Sequence, residues 1–150
     1  MKLTDEYEIS NWAYEQCLNK NDTIQMRRLI TTSYLAYCYC GYIKDREEML
    51  SKITDYDAYR YCKYIKDRLK VRKNITNSEY AYYYCRNVKD REEVWRKITE
   101  SEWAYRYCID VKDREEVRKN ITESKWAYCY CRDVKDIEEV RRYIKNETNR

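Results

Sequence analysis

Apolar positions along this chain do not gather into long runs. They return in one order every 22 or 23 residues. The only alanines are Ala13, Ala36, Ala58, Ala81, Ala104 and Ala127. A tyrosine follows each one: Tyr14, Tyr37, Tyr59, Tyr82, Tyr105 and Tyr128. Four residues past each alanine stands a cysteine (Cys17, Cys40, Cys62, Cys85, Cys108, Cys131), and five further on an aspartate (Asp22, Asp45, Asp67, Asp90, Asp113, Asp136). An isoleucine closes each unit: Ile30, Ile53, Ile75, Ile98, Ile121 and Ile144. Self-similarity at such a period is the mark of a repeat architecture.

Each unit reads as two short helices. Ala104, Cys108 and Val111 fall at i, i+4 and i+7, one helical face, with Trp103 and Tyr107 on one side of it and Tyr105 on the other. Ser101 is placed to cap this helix, since a serine hydroxyl accepts an orphan backbone N–H. A second helix is expected to begin at Asp113, with Glu116 three residues on as a capping box. Asp45/Glu48, Asp90/Glu93 and Asp136/Glu139 repeat that pattern. Val117 and Ile121 supply the second helix's buried pair. Helices of about two turns do not persist alone in water, so each must pack on its neighbours, as in a solenoid. A coiled coil needs heptads instead, and the short capped segments do not make four long bundle helices. The expected fold is therefore all-α, a right-handed α-solenoid of six two-helix repeats in a single domain spanning 1–150. The repeats run approximately over 10–30, 31–53, 54–75, 76–98, 99–121 and 122–144.

The stretch Asp110-Val-Lys-Asp113-Arg-Glu-Glu-Val117-Arg118 resembles the Asp-rich turn and following Val-Arg of leucine-rich-variant repeats, and the layout is similar to HEAT-like arrays. The stretch recurs in several units, so the resemblance covers most of the chain. Ala-Tyr-x-Tyr-Cys stands where that family has a leucine-rich helix, and the prolines of the family turn are absent. The resemblance implies stacked helix pairs, a second element tightened toward a 3₁₀ form, and binding to other macromolecules. It implies no catalytic activity.

Composition narrows the chemistry. There is no His, no Pro and one Gly, Gly41. Imidazole catalysis and His-ligated metal sites are therefore excluded, and so is a Gly-rich phosphate loop. No apolar run reaches the roughly 18 residues that span a bilayer. Residues 1–10 carry Asp5, Glu6 and Glu8 and no apolar core of a signal peptide. A cytoplasmic protein with eight free thiols is expected, and in that compartment the sequons at Asn21, Asn74, Asn120 and Asn146 stay unmodified. Neither a membrane, a cofactor nor a metal is expected.

The cysteine column shares a face with Ala and Val and reads as core. In the Cys38/Cys40 and Cys129/Cys131 pairs, i and i+2 point about 200° apart on a helix, so Cys38 and Cys129 are the expected exposed thiols. The column Tyr39, Tyr61, Tyr84, Tyr107 and Tyr130 reads as stacking between repeats with hydroxyls at the edge, more readily than as a base-stacking platform. Trp12, Trp103 and Trp126 share one repeat position and read the same way. Glu92–Arg96, Glu115–Lys119 and Glu138–Arg142 are i, i+4 pairs on a solvated second helix. Trp95 stands where other units carry Arg and is a candidate dimer or ligand contact. Gln16 and Asn21 in the first unit, and Tyr143, Lys145 and Asn146 in the last, are polar departures expected to discourage end-to-end stacking.

Function is sought in the positions that vary while the frame stays fixed. Those two before, and two and five after, each alanine face away from the predicted core. Among them Tyr56, Arg60, Lys63, Tyr83, Arg86, Arg106 and Arg132 are the residue types that dominate binding surfaces. The chain is repeat throughout, so a non-enzymatic protein that acts by covering a partner's surface is expected, as an adaptor or inhibitor. Its size and Lys/Asn/Ile/Tyr-rich composition extend this to the inhibitors with which viruses block host defence enzymes. The expected partner is a protein, a nucleic-acid-binding protein among the candidates given the positive Tyr/Arg groups. The alternative is RNA or single-stranded nucleic acid bound directly by Tyr/Arg-lined repeats.

Overall fold

The computed structural model describes residues 5–145, which hold twelve α-helices and no strand. The all-helical expectation is met. The chain divides into two compact units, Met1–Ile75 and Thr76–Arg150, and the division falls at a repeat boundary. The first unit contains α1 (Glu6–Leu18), α2 (Ile24–Leu29), α3 (Ser33–Tyr42), α4 (Glu47–Leu50), α5 (Asp55–Tyr64) and α6 (Leu69–Arg72). The second contains α7 (Ser78–Asn87), α8 (Glu92–Trp95), α9 (Ser101–Asp110), α10 (Glu115–Arg118), α11 (Ser124–Asp133) and α12 (Glu138–Arg141). Odd-numbered helices are long, ten residues in α3 and most others, whereas α4, α6, α8, α10 and α12 have four residues each. From α4 onward the second element of each pair is thus one turn, flanked by i→i+3 bonds such as Val117 N–H to the Arg114 carbonyl and Asn120 N–H to the Val117 carbonyl, while α2 has six residues.

How helices stop without Gly or Pro is visible in the hydrogen bonds. The Tyr39 carbonyl accepts from both Ile43 N–H and Lys44 N–H, and the Tyr61, Tyr84, Tyr107 and Tyr130 carbonyls do the same. The doubled bond closes each long helix with ordinary backbone angles; φ is −111° at Ile43 and −115° at Val134. Positive φ is confined, among the described residues, to Lys20 and Asp55. Asp55 marks where the period falls to 22: the Ile53–Ala58 interval is one residue shorter than Ile75–Ala81. Its φ of 43° absorbs the missing residue, and Asp is among the few side chains that tolerate that region.

Within each unit the core is the predicted column set. Ala36, Ala58, Ala81, Ala104 and Ala127 are buried, as are Ile30, Ile53, Ile75, Ile98 and Ile121, and Cys17, Cys40, Cys62, Cys85 and Cys108 join them. Each cysteine has local work. The Cys40 sulfur takes the backbone N–H of Arg46, and Cys62, Cys85 and Cys108 take those of Arg68, Arg91 and Arg114, the residues that open the short helices. Burial pushes these thiols up, Cys40 to about 11 and Cys62 to about 12.

The capping boxes are not formed. The N-caps of α4, α6, α8 and α10 are Arg46, Arg68, Arg91 and Arg114, with no side-chain cap bond. Within each unit the aspartates of this column turn instead to the next helix pair. Asp22 accepts from the Tyr39 hydroxyl at 2.8 Å, Asp45 from Tyr61 at 2.7 Å, Asp90 from Tyr107 at 2.7 Å and Asp113 from Tyr130 at 3.0 Å. Guanidinium groups complete the joint. Arg46 reaches Asp22 at 3.0 Å, Arg68 reaches Asp45 at 2.5 Å and Arg114 reaches Asp90 at 2.5 Å. Where Ile137 replaces that arginine, Arg118 of the same pair as Asp113 holds it at 3.0 Å. The predicted tyrosine column is fully buried, and the hydroxyls of Tyr39, Tyr61, Tyr107 and Tyr130 are taken by carboxylates, because a phenol in a packed core needs an acceptor.

Serine also works across pairs. Ser101 does not cap α9, whose N-cap is Glu100. Its Oγ accepts Thr122 N–H at 3.0 Å and Glu123 N–H at 3.1 Å at the start of α11, and donates to the Asn120 carbonyl. Ser10 and Ser78 make the equivalent bonds to residues 31–32 and 99–100. The sequon asparagines Asn74 and Asn120 donate their side-chain amides to Ile53 and Ile98 carbonyls at 2.9 and 2.8 Å. Asn146 lies outside the described residues.

Two exposure expectations are overturned. Trp95 is 6% exposed, packed against the guanidinium groups of Arg96 and Arg114. It occupies a buried position that Leu50 fills in the first unit, with only an edge left to the depression it shares with Thr99, Glu116 and Lys119. Cys38 is 6% exposed, covered by Tyr34, which bonds to it, with Tyr14 alongside. Cys129 is half-buried. Of the three charge pairs, Glu92–Arg96 is closed, whereas Glu138 is met by Arg141 and Arg142 turns to the Tyr143 hydroxyl.

Candidate functional site

Three of the seven predicted binding residues come together in the first unit. The Arg60 guanidinium lies 4.5 Å from the Tyr37 ring centre and 5.4 Å from that of Tyr56. One turn on, the Lys63 ammonium lies 5.0 Å from the Tyr64 ring and 5.8 Å from that of Tyr59. Both cations therefore sit among phenol rings, each contact being worth about 0.5–1 kcal/mol where solvent is near. Tyr34, Tyr42, Tyr56 and Tyr64 are exposed around them, Tyr42 to 77%. Arg60 and Tyr42 both lie close enough to Tyr34 and Tyr37 to influence their ionisation. Asp57 approaches Arg60 only at 4.0 Å and takes the Ser33 hydroxyl at 2.8 Å.

The remaining four lie in the second unit and are engaged differently. Tyr83 is half-buried, 5.2 Å from the Tyr82 ring and 5.8 Å from the Trp103 ring. Arg86 donates to the Tyr82 hydroxyl at 3.1 Å, and that hydroxyl itself donates to Asp110. Arg106 pairs with Glu102 at 2.9 Å and lies over Trp103. Arg132 grips Asp133 at 2.5 Å. Hydrogen bonds from Arg132 and then from Tyr105 bring the Asp133 carboxyl down to about 2. Three arginines of this unit thus have their charge answered by neighbouring groups, while the cations of the first unit lie chiefly against aromatic faces.

Tyr42 and Tyr64 were not among the predicted residues, yet the repeat frame carries the signal. They stand six residues after their alanines, where Asp110 and Asp133 stand in the second unit. There the aspartates accept Tyr82 and Tyr105 hydroxyls. Tyrosine at that position removes the acceptor and leaves an aromatic ring at the surface. Among the described residues no helix is long and apolar enough to cross a membrane, and no cluster of three or more Cys, Asp or Glu is placed to hold a metal.

No protein-family model, curated protein or solved structure matches this chain. The class defined by the described residues is an all-helical, tyrosine-rich protein built of recurring helix pairs.

Proposed function

We propose that this chain is a non-enzymatic binding module of the cytoplasm, a right-handed α-solenoid of six two-helix repeats that covers the surface of a partner protein as an adaptor or inhibitor. The solenoid reading is supported by the period of the sequence and by helix pairs joined through the same Asp–Tyr, Ser and Asn bonds within each unit. The binding reading rests on one observation above all. Exposed Tyr34, Tyr42, Tyr56 and Tyr64 surround Arg60 and Lys63, although the frame tyrosines are consumed by packing. Rigid aromatic rings beside cations supply contact area at low entropic cost, and they favour a partner with an acidic or nucleic-acid-occupied surface.

The same rings support direct nucleic-acid binding as the second reading, because exposed phenols beside Arg and Lys stack bases and meet phosphates. One experiment separates the two. The protein is used as bait in an extract of its source cell, with and without nuclease. A partner retained after nuclease and lost with Arg60→Glu plus Lys63→Glu supports the protein reading. Capture abolished by nuclease, with affinity falling steeply as salt rises, supports the second. Unchanged capture by the double variant sinks the proposed face.

A further inference from the structure

In the second unit, successive long helices meet through an aromatic pair. Tyr105 of α9 stacks on Trp126 of α11 with ring centres 5.5 Å apart and planes 26° apart, and Tyr82 of α7 meets Trp103 of α9 at 5.5 Å. The donor is always the tyrosine after the alanine, the receiver the tryptophan before it. Two members of this pattern are left open. Tyr128 of α11 is 55% exposed, and Trp12 of α1 is 38% exposed. The equivalent Tyr82 is buried, so the exposure of Tyr128 reflects a missing cover rather than the position itself.

The surroundings of the two open residues are complementary. Tyr128, Cys129 and Ile144 line a basin of about 730 Å³ together with Lys125, Lys145 and Arg132, the last of these paired with Asp133. Helix α1 carries Glu6, Glu8 and Glu15 and no basic side chain. Leu29 of α2, in the same helix pair as Trp12, is also exposed, at a position where Lys52, Asn74 and Asn120 bond back to the preceding pair. The polar character expected of the two ends is therefore incomplete: among the described residues each keeps an exposed aromatic residue, with Lys125 and Lys145 beside Tyr128 and glutamates on the helix of Trp12.

We propose that the Tyr128 basin of one molecule receives the Trp12 end of a second copy, repeating between chains the Tyr–Trp stack that joins helix pairs within each. Asp136, held by Arg141 at 2.8 Å within its own pair, then also accepts from the Gln16 amide, a donor standing in the Tyr column. Such a contact is heterologous, with different surfaces of the two copies engaged.

The test uses the full chain in sedimentation velocity at rising concentration. The wild type is expected to gain mass beyond the monomer as concentration rises. Trp12→Glu and Tyr128→Glu, each checked for unchanged helical circular dichroism, are each expected to remain monomeric. Mixed in equal amounts, they are expected to form a one-to-one pair and nothing larger, because one supplies an intact basin and the other an intact tryptophan end. Should Trp12→Glu disturb the fold, Glu8→Lys with Glu15→Lys takes its place as the blocked end. A wild type that stays monomeric, either variant associating alone, or a mixture that fails to pair would overturn the proposal.

Discussion

The Tyr107 hydroxyl donates to the Asp90 carboxylate at 2.7 Å across the step from one helix pair to the next, seventeen positions apart in sequence. Arg114 closes the triangle, with Nε 2.6 Å from the same hydroxyl and Nη2 2.5 Å from the carboxylate. The tyrosine ring is fully buried. A donor, an acceptor and a cation from three segments are thus satisfied by one another, which makes the joint a unit rather than three separate bonds.

Removing one corner leaves a polar group without its partner. Tyr107→Phe is expected to lower stability by about 1–3 kcal/mol, read from the urea unfolding midpoint. Tyr107→Ala, which also empties the core, is expected to cost about 3–5 kcal/mol. A double-mutant cycle with Arg114→Gln should show non-additivity of about 0.5–3 kcal/mol. Additive losses would mean that the triangle is not coupled.

Ser101 caps the following helix rather than its own, which sets a directional expectation. Ser101→Ala should destabilise by about 0.5–2 kcal/mol. Hydrogen exchange should quicken at the amides of Thr122 and Glu123, which bond to Ser101 Oγ, and not at the first turn of α9. The opposite pattern would restore the local cap.

Alkali should unfold this protein. Burial, followed by bonding to Asp22 and to Asp110, pushes Tyr39 and Tyr82 up to about 12 from an ordinary 10.0. Burial also pushes Cys62, Cys85 and Cys108 up to about 12 from 9.0. The folded state therefore holds more protons than the unfolded chain through this range. Stability is fully present below about pH 9 and is lost as pH rises toward about 12. Melting temperature against pH, with tyrosinate absorbance followed in parallel, checks it. Tyrosines that ionise at ordinary pH without unfolding would contradict the buried column.

On the acid side Asp22 behaves conversely. Burial raises its carboxyl, but bonds from Tyr39, Arg27 and Arg46 outweigh that and hold it below its ordinary value. Its contribution is present above the ordinary carboxylate range and fades as pH falls below it. Asp22→Asn should flatten the acid limb of the melting curve.

Thiol reactivity should sort by burial. Cys129 and Cys131 are half-buried, and the other six are buried. A disulfide-exchange reagent is expected to modify the first two quickly and the rest only on unfolding. Rapid modification of Cys38 would reinstate the exposure expected from helical phase alone.

Spacing alone was enough to place the alanine, cysteine and isoleucine columns in the core and to make the chain helical. An apolar residue recurring at one phase has one face to offer, and a period of 22 or 23 residues leaves room for little but a helix pair. What Asp, Ser and Tyr do was beyond the sequence. Each has a local partner within its own helix pair and an equally suitable one in the next, and local pattern always proposes the first. Tertiary packing decided for the second, because burying Tyr107 requires an acceptor and Asp90 is the one brought within reach. Exposure of Trp95 and Cys38 was misjudged for the same reason. Helical phase says which way a side chain points, but only the neighbouring helix decides whether anything covers it.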